Sequence, residues 1–382
     1  MKSHRSSEIK KLVLVISDLH LGAGKYVKGR RNLLEDFHYD AELIDFLHWH
    51  SQGDLEKRPV ELVINGDFFD ILAVPYVEFF DDEFWSEEAS LEKLRMIIRA
   101  HHGVMLALKS FLEKPGKHIT YIIGNHDAEL ILDSLKLEFK AFFGPELEER
   151  ISIRNELHTH NPVPGVFIQH GHQYEHAHAF DPEQSVVTTK EGRRFFTPSW
   201  GSYYVINVIN RYKQERHYIN AVRPIKHFMI HGLLFDTFFI LRFALSNIHY
   251  YFMVRFWSYV VQRTNWRQVF RDLIQELTLF QDYEGLTRDF FQKEPLARAL
   301  VVGHTHNPIF RIFNDGTYFI NTGTWTNMVN LDLAQWNHAQ SLPYARVATY
   351  ADEVDLARFE DEVEVDLKVW RGTDNSPYRD FN

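Results

Sequence analysis

An α/β fold is predicted by three observations: short apolar runs rich in β-branched residues recur along the chain, stretches of helical length separate the first of them, and nearly every run ends in a polar cluster. The runs are Leu12 to Ile16, Leu62 to Ile64, Ile119 to Ile123, Val166 to Ile168, Ala299 to Val302 and Tyr318 to Ile320. Their length favours buried strands over helices. Tyr39 to Ser51 and Ser90 to Glu113 are long enough for helices, so strand and helix alternate. Near the end, Val363, Val365, Leu367 and Val369 alternate with Glu362, Glu364, Asp366 and Lys368, the period-two pattern of an antiparallel strand wet on one face. A mixed sheet or a pair of sheets follows.

With 382 residues, 45% hydrophobic and 25% charged, the chain has the balance of a folded protein and not of a disordered one. It contains no cysteine, which excludes disulfides, thiolate nucleophiles and Cys-ligated metals. Any metal is left to Asp, Glu, Asn and the 22 histidines. Met1 to Lys11 is polar and basic, and the apolar run after it is too short for a signal peptide, so a cytoplasmic location is expected.

Charge is uneven. Arg193 to Arg271 holds 12 basic and 2 acidic residues and carries +10, leaving 30 basic and 50 acidic residues, or −20, elsewhere in a chain of net −10. Such asymmetry marks a surface for an anionic partner. The same stretch is crowded with aromatics, including Phe228, Phe235, Phe238, Phe239, Phe243, Tyr250, Tyr251, Phe252, Phe256, Trp257 and Tyr259. Asp236, Arg242 and Arg255 interrupt it too often for a membrane-spanning helix, which needs about 18 or more consecutive apolar residues. Residues 181–295, where no strand-like run of the earlier kind occurs, read as a helical insertion whose aromatics form a core of their own or face an apolar groove or membrane. Residues 1–180 and 296–382 then form one discontinuous domain. The chain shows no internal repeat and no low-complexity tract.

The polar clusters carry the chemistry. The runs lead into Ser17-Asp18-Leu19-His20, Asn65-Gly66-Asp67-Phe68-Phe69-Asp70, Gly124-Asn125-His126-Asp127, Gln169-His170-Gly171-His172 and Gly303-His304-Thr305-His306. In an α/β sheet the carboxyl ends of parallel strands share one edge, so distant residues converge there. Asp, His and Asn offer oxygen and imidazole ligands suited to Mn²⁺, Fe, Co²⁺, Ni²⁺ or Zn²⁺. In extended chain, residues i and i+2 point the same way, so Asp18 with His20, and His304 with His306, can each address one site. The glycines before Asp67, Asn125 and His304 allow tight turns and close backbone approach.

In that order, Asp-x-His, Gly-Asp-x-x-Asp, Gly-Asn-His-Asp, His-Gly and Gly-His-x-His resemble the five signatures of the calcineurin-like metallophosphoesterase superfamily, over about 1–180 and 296–330. The resemblance implies a four-layer αββα sandwich of two mixed sheets, with 181–295 inserted. It also implies a dinuclear centre, Asp18, His20, Asp67 and His306 on one divalent ion and Asp67, Asn125, His170 and His304 on the other. Mn²⁺ is the expected metal. Catalysis would be in-line attack by a metal-bridging hydroxide, with His126 protonating the leaving oxygen or stabilising its charge, and Asp70 orienting His126. Asp127 completes the motif without a direct role.

Other signals are weaker. His172 could line the cavity or face water, and the pairs His158/His160 and His176/His178 read as loop histidines because they lack the strand-then-glycine setting. Gly22-Ala23-Gly24-Lys25 fails the spacing of a phosphate-binding loop. The insertion begins and ends beside the candidate ligands and could lie over them as a lid. Basic and aromatic together, it suits a phosphorylated small molecule, a lipid-linked substrate or an anionic membrane surface at 193–271. In placing a helical insertion at this point the chain resembles the UDP-2,3-diacylglucosamine pyrophosphatases, although its insertion is larger. The alternatives are a nuclease, in which the same stretch would track a phosphate backbone, and a non-catalytic scaffold, which the filled ligand positions disfavour.

Overall fold

The structure is a computed structural model that describes residues 8–78, 81–155, 159–175, 177–219, 221–223, 225–262, 283–330 and 342–372. Its core is a pair of stacked mixed sheets. Strands β1 (Lys11–Ile16), β2 (Val60–Asn65), β3 (Lys117–Ile122) and β4 (Ile151–Arg154) run parallel, with α1 (Asp40–Trp49) between β1 and β2 and with α2 (Glu87–Ala100) and α3 (His102–Glu113) between β2 and β3. The second sheet takes β5 (His160–Val163) and β6 (Val166–Ile168) from the middle of the chain. Between the sheets' contributions come a hairpin, β7 (Val186–Thr188) with β8 (Arg194–Phe196), and two long helices, α4 (Ile225–Phe235) and α5 (Thr237–Gln262). The chain then completes the second sheet with β9 (Ala299–Val302), β10 (Ile309–Ile312) and β11 (Tyr318–Asn321), and the first with β12 (Leu342–Thr349) and β13 (Val363–Trp370). The orders are β13-β12-β1-β2-β3-β4 and β10-β11-β9-β6-β5.

The alternation of side chains along β1 explains the layering. Leu12, Leu14 and Ile16 face the helices, packing with Phe46 of α1, Leu94 of α2 and Leu108 of α3. Val13 and Val15, with Val63 and Ile122 of their own sheet, face the other sheet and pack with Val166, Ile168, Val301 and Ile320. Beyond the second sheet, Phe290 of the helix Tyr283–Lys293 packs on Leu300, Val302 and Phe319. Helix, sheet, sheet and helix make the four layers. Each predicted run is a strand, and β13 pairs antiparallel at the end of its sheet as its period-two pattern requires.

Two expectations change. Ser90 to Glu113 is two helices: the Ser86 hydroxyl caps α2 by accepting from the Ala89 N–H (3.1 Å), and the helix stops at His101, whose Nδ1 lies 2.7 Å from Asp40. The insertion is not purely helical. It opens with β7–β8, strands of three residues each, too short to show as an apolar run. Its aromatics divide: Phe228, Phe239, Phe243 and Tyr250 form a core with Val208 and Tyr212, while Phe235 and Phe238 are exposed. The side chains of Tyr251, Phe256, Trp257 and Tyr259, like Arg263, Arg267 and Arg271, lie outside the described residues. Buried Lys213 reaches Leu34 O (2.9 Å) and Asp36 (2.5 Å), and Arg193 pairs with both oxygens of Glu83 (2.7 and 2.6 Å), tying the insertion to the sheet region. Among the described residues no helix is long and apolar enough to cross a membrane.

Candidate metal centre

Five loops leave the carboxyl ends of β1, β2, β3, β6 and β9, and all of the candidate ligands lie on them. The loops after β1 and β2 are laced together by backbone bonds from Asp18 N to Gly66 O (3.1 Å) and from His20 N to Asp67 O (2.9 Å). Six residues other than glycine adopt a positive φ among the described residues, and five of them are candidate ligands: Asp18 (54°), His20 (57°), Asp67 (52°), His304 (69°) and His306 (62°). This left-handed backbone costs about 1–2 kcal/mol for a side chain with a Cβ, and such strain gathers at functional sites. Close approach is built in as well. A Cβ on Gly124 would fall 2.2 Å from Asp67 Oδ1, and one on Gly303 would fall 2.5 Å from Asp18 Oδ2.

The side chains form two overlapping groups. In the first, the Nε2 atoms of His20 and His306 lie 3.0 Å apart, with Asp18 Oδ1 3.5 Å from His306 Nε2. Asp18 is held in place by the His304 N–H (2.9 Å to Oδ2) and by the Ser17 hydroxyl. In the second, His170 Nε2 lies 3.3 Å from both Asp67 Oδ2 and Asn125 Oδ1, and His304 is close enough to join them. His170 donates from Nδ1 to Asn65 O (2.7 Å), which leaves Nε2 free to act as a ligand. Asp67 lies within ligand reach of His20 and His126 on one side and of His170 and His304 on the other.

His126 stands beside them, its ring edge-on to His20 at 4.6 Å, with Nδ1 3.0 Å from Asp70 Oδ1 and its own N–H donating to Asp67 Oδ1 (2.8 Å). Asp127 turns away and braces the loop, accepting from Gly124 N (2.6 Å), Phe68 N (3.0 Å) and the Tyr121 hydroxyl (2.6 Å).

Electrostatics match the geometry. Asp18, Asp67 and Asp70 are buried, which by itself raises their pKa values, but surrounding imidazoles reverse the effect and hold all three below the usual carboxylate range. Burial likewise works against a charged His126, yet Asp70 and Asp67 hold it up at about 9. Three buried carboxylates among imidazole and amide donors, with at least one imidazole fixed in the tautomer a ligand needs, fit a pair of divalent cations.

Sequence reasoning missed two residues here. Glu175 Oε2 lies 3.0 Å from His304 Nε2, and His178 lies 3.6 Å from Glu175 and, through Nδ1, 3.5 Å from the Asn125 amide nitrogen. Glu175, His178 and His304 form a further group able to hold a metal. His178 is therefore not a plain loop histidine. Its signal was its distance from His170, a few residues along a turn that folds back on the strand end. His172 is buried and stacked on Phe180 at 5.3 Å. His160 is bound to Glu61 (2.6 Å) away from the cluster, and His158 and His176 lie outside the described residues.

No family model and no curated protein matches the chain. Among solved structures it is similar to an archaeal phosphodiesterase (10% identity over 94% of this chain and 99% of that one, TM-score 0.31). It is also similar to vacuolar protein sorting 29 from Cryptosporidium parvum (12%, 95% and 98%, TM-score 0.30). A third is a 5'-nucleotidase from Candida albicans (11%, 95% of this chain but 52% of that one, TM-score 0.32). At such scores the likeness is a resemblance alone, and the nature of the centre rests on its own side chains.

Proposed function

We propose that the chain is a metal-dependent phosphoric ester or pyrophosphate hydrolase of the calcineurin-like metallophosphoesterase superfamily. The observation that carries this reading is the meeting of Asp18, His20, Asp67, Asn125, His170, His304 and His306, from five separate strand ends, in one cluster in which Asp67 lies beside His20 on one side and beside His170 and His304 on the other. Asp18, His20, Asp67 and His306 would hold one divalent cation, and Asp67, Asn125, His170 and His304 the other, with Mn²⁺ the first choice. Paired cations would supply positive charge for a phosphoryl group and lower the pKa of a water molecule.

The chain's own part in the reaction falls to His126. Asp70 occupies its Nδ1, so the proton to be given away is the one on Nε2. A ring so oriented by Asp70 would protonate a poor leaving oxygen from Nε2, a contribution of about 10²–10⁴ in rate. Asp70 touches no reacting atom in this scheme and acts by fixing the ring. The substrate we favour is a lipid- or nucleotide-linked phosphodiester or pyrophosphate, supported by the basic, aromatic stretch that lies between His170 and His304 in the sequence. A screen of phosphomonoesters, diesters, nucleotide sugars and acylated UDP-sugars with added Mn²⁺ tests the proposal. Hydrolysis that depends on Mn²⁺ and stops with chelator is expected; no turnover of any class by protein shown to be metal-loaded would refute it.

A further inference from the structure

Helix α5 carries two apolar faces. One packs inward through Phe239, Ile240, Phe243 and Tyr250, each at most 9% exposed. The other faces outward through Phe238, Leu241 and Leu245, at 78, 51 and 64% exposure, and α4 extends it with Leu233, Leu234 and Phe235 at 45, 72 and 87%. The outward face runs on along α5 through Ile248, Phe252 and Met253 and is most exposed at the turn between the helices, so the feature is an apolar ridge that ends in that turn and not a scatter of surface residues. Six such side chains at these exposures present on the order of 600 Å², at the upper end of the largest patch on an ordinary monomer.

Charge selects the occupant. Residues 197–262 contain seven basic residues (Arg211, Lys213, Arg216, Arg223, Lys226, Arg242 and Arg255) and two acidic ones; with Lys213 buried against Asp36, the others carry a net +4 within a chain of net −10. Both acids are already engaged, Glu215 with Arg242 and Asp236 with Arg216 (2.8 Å). A second copy of the chain docking through the same face would bring two positive hairpins together. An anionic lipid surface offers the reverse, with about 1 kcal/mol from each basic residue held near it. No described helix can span a bilayer, which leaves shallow insertion.

We propose that the tip of the α4–α5 hairpin, Leu234, Phe235 and Phe238 backed by Leu241 and Leu245, inserts into the headgroup region of an anionic bilayer. The proposal does not depend on the chemistry of the metal centre. It is tested by co-sedimentation of the full chain with vesicles of phosphatidylglycerol mixed into phosphatidylcholine, and of phosphatidylcholine alone. The chain should bind the anionic vesicles, more weakly as salt rises. The double variant Phe235→Asp, Phe238→Asp should bind roughly a hundredfold less tightly, as removal of two phenyl groups from an apolar phase implies, with unchanged Mn²⁺-dependent hydrolysis of the small soluble diester bis-p-nitrophenyl phosphate and unchanged thermal melting. Equal binding to both vesicle types, or undiminished binding by the variant, would overturn it. So would a wild-type dimer in sedimentation velocity that the variant converts to monomer, which would assign the face to a second copy.

Discussion

Replacing Glu61 by glutamine removes a charge from the joint between the two sheets. Glu61 sits on β2, nearly buried, and its carboxylate accepts from Thr120 Oγ1 (2.8 Å), faces His160 Nε2 across the sheets (2.6 Å) and pairs with Lys11 (2.9 Å). Burial alone would raise its pKa; His160 and Lys11 overcome that and hold it at about 2, against an ordinary 4.5. A carboxylate whose folded pKa is depressed stabilises the fold above its unfolded pKa, and the gain fades as pH falls through the folded value. At about 1.4 kcal/mol per pH unit, the charge contributes about 3 kcal/mol at pH 7, and less than half of that by pH 3. Glutamine keeps the shape without the charge. Urea unfolding of both proteins, followed by tryptophan fluorescence, should give a gap in stability that is widest above pH 4.5 and narrows towards pH 3. An equal gap at pH 7 and pH 3 would refute the argument, because it would place the stabilisation in packing and not in ionisation.

Asp67→Ala should cost both cations, so elemental analysis of reloaded protein should fall from two metals per chain to nearly none; two retained metals would contradict the bridging role. His126→Asn should slow alkyl phosphodiesters by about 10²–10⁴ and nitrophenyl esters much less, since nitrophenolate hardly needs a proton, and an equal loss on both would remove His126 from the acid's role. Glu175→Ala should lower cation affinity about 10–100-fold by calorimetric titration, as expected when the carboxylate orienting a ligand histidine is lost; unchanged affinity would make the His304 contact incidental. Burial opposes a charged His101, but Asp40 and Glu35 hold it at about 9. Its contribution, up to about 3 kcal/mol, is therefore complete below pH 6.5 and lost as pH rises through 9, and His101→Gln should flatten the melting temperature across that range.

The strands that carry the centre were readable because each is a compact apolar run that ends in a polar cluster, glycine-marked in all but the first, as at Ile119 to Asp127. Their convergence was readable only as an ordered set, since no single histidine distinguishes a ligand from a satisfied core residue. What escaped has physical reasons. Glu175 and His178 reach the centre through a turn after Gly171, whose φ of 116° folds the chain back, and no periodicity reports such a turn. The break between α2 and α3 rests on His101 reaching a carboxylate some sixty residues away, a tertiary contact that local propensity does not encode. The π-helical stretch Val205–Asn210 is likewise fixed by what it packs against, with buried Asn210 donating to Leu72 O (2.8 Å).

Asp18, His20, Asp67, Asn125 and His126 hang from one sheet, and His170, His304 and His306 from the other. The centre thus straddles a sliding joint. Displacing one layer by a single residue would carry its imidazoles about 3.3 Å, as far as the whole span from His170 Nε2 to Asp67 Oδ2 (3.3 Å). Besides the polar contacts of Glu61 with His160 and of Asn65 with Gln169 and His170, what resists the slip is the valine and isoleucine filling of Val13, Val15, Val63, Val166, Ile168 and Val301. Those methyl groups never meet a substrate, yet they act as the gauge that calibrates the reactive cleft, so trimming one should detune catalysis before it unfolds the protein.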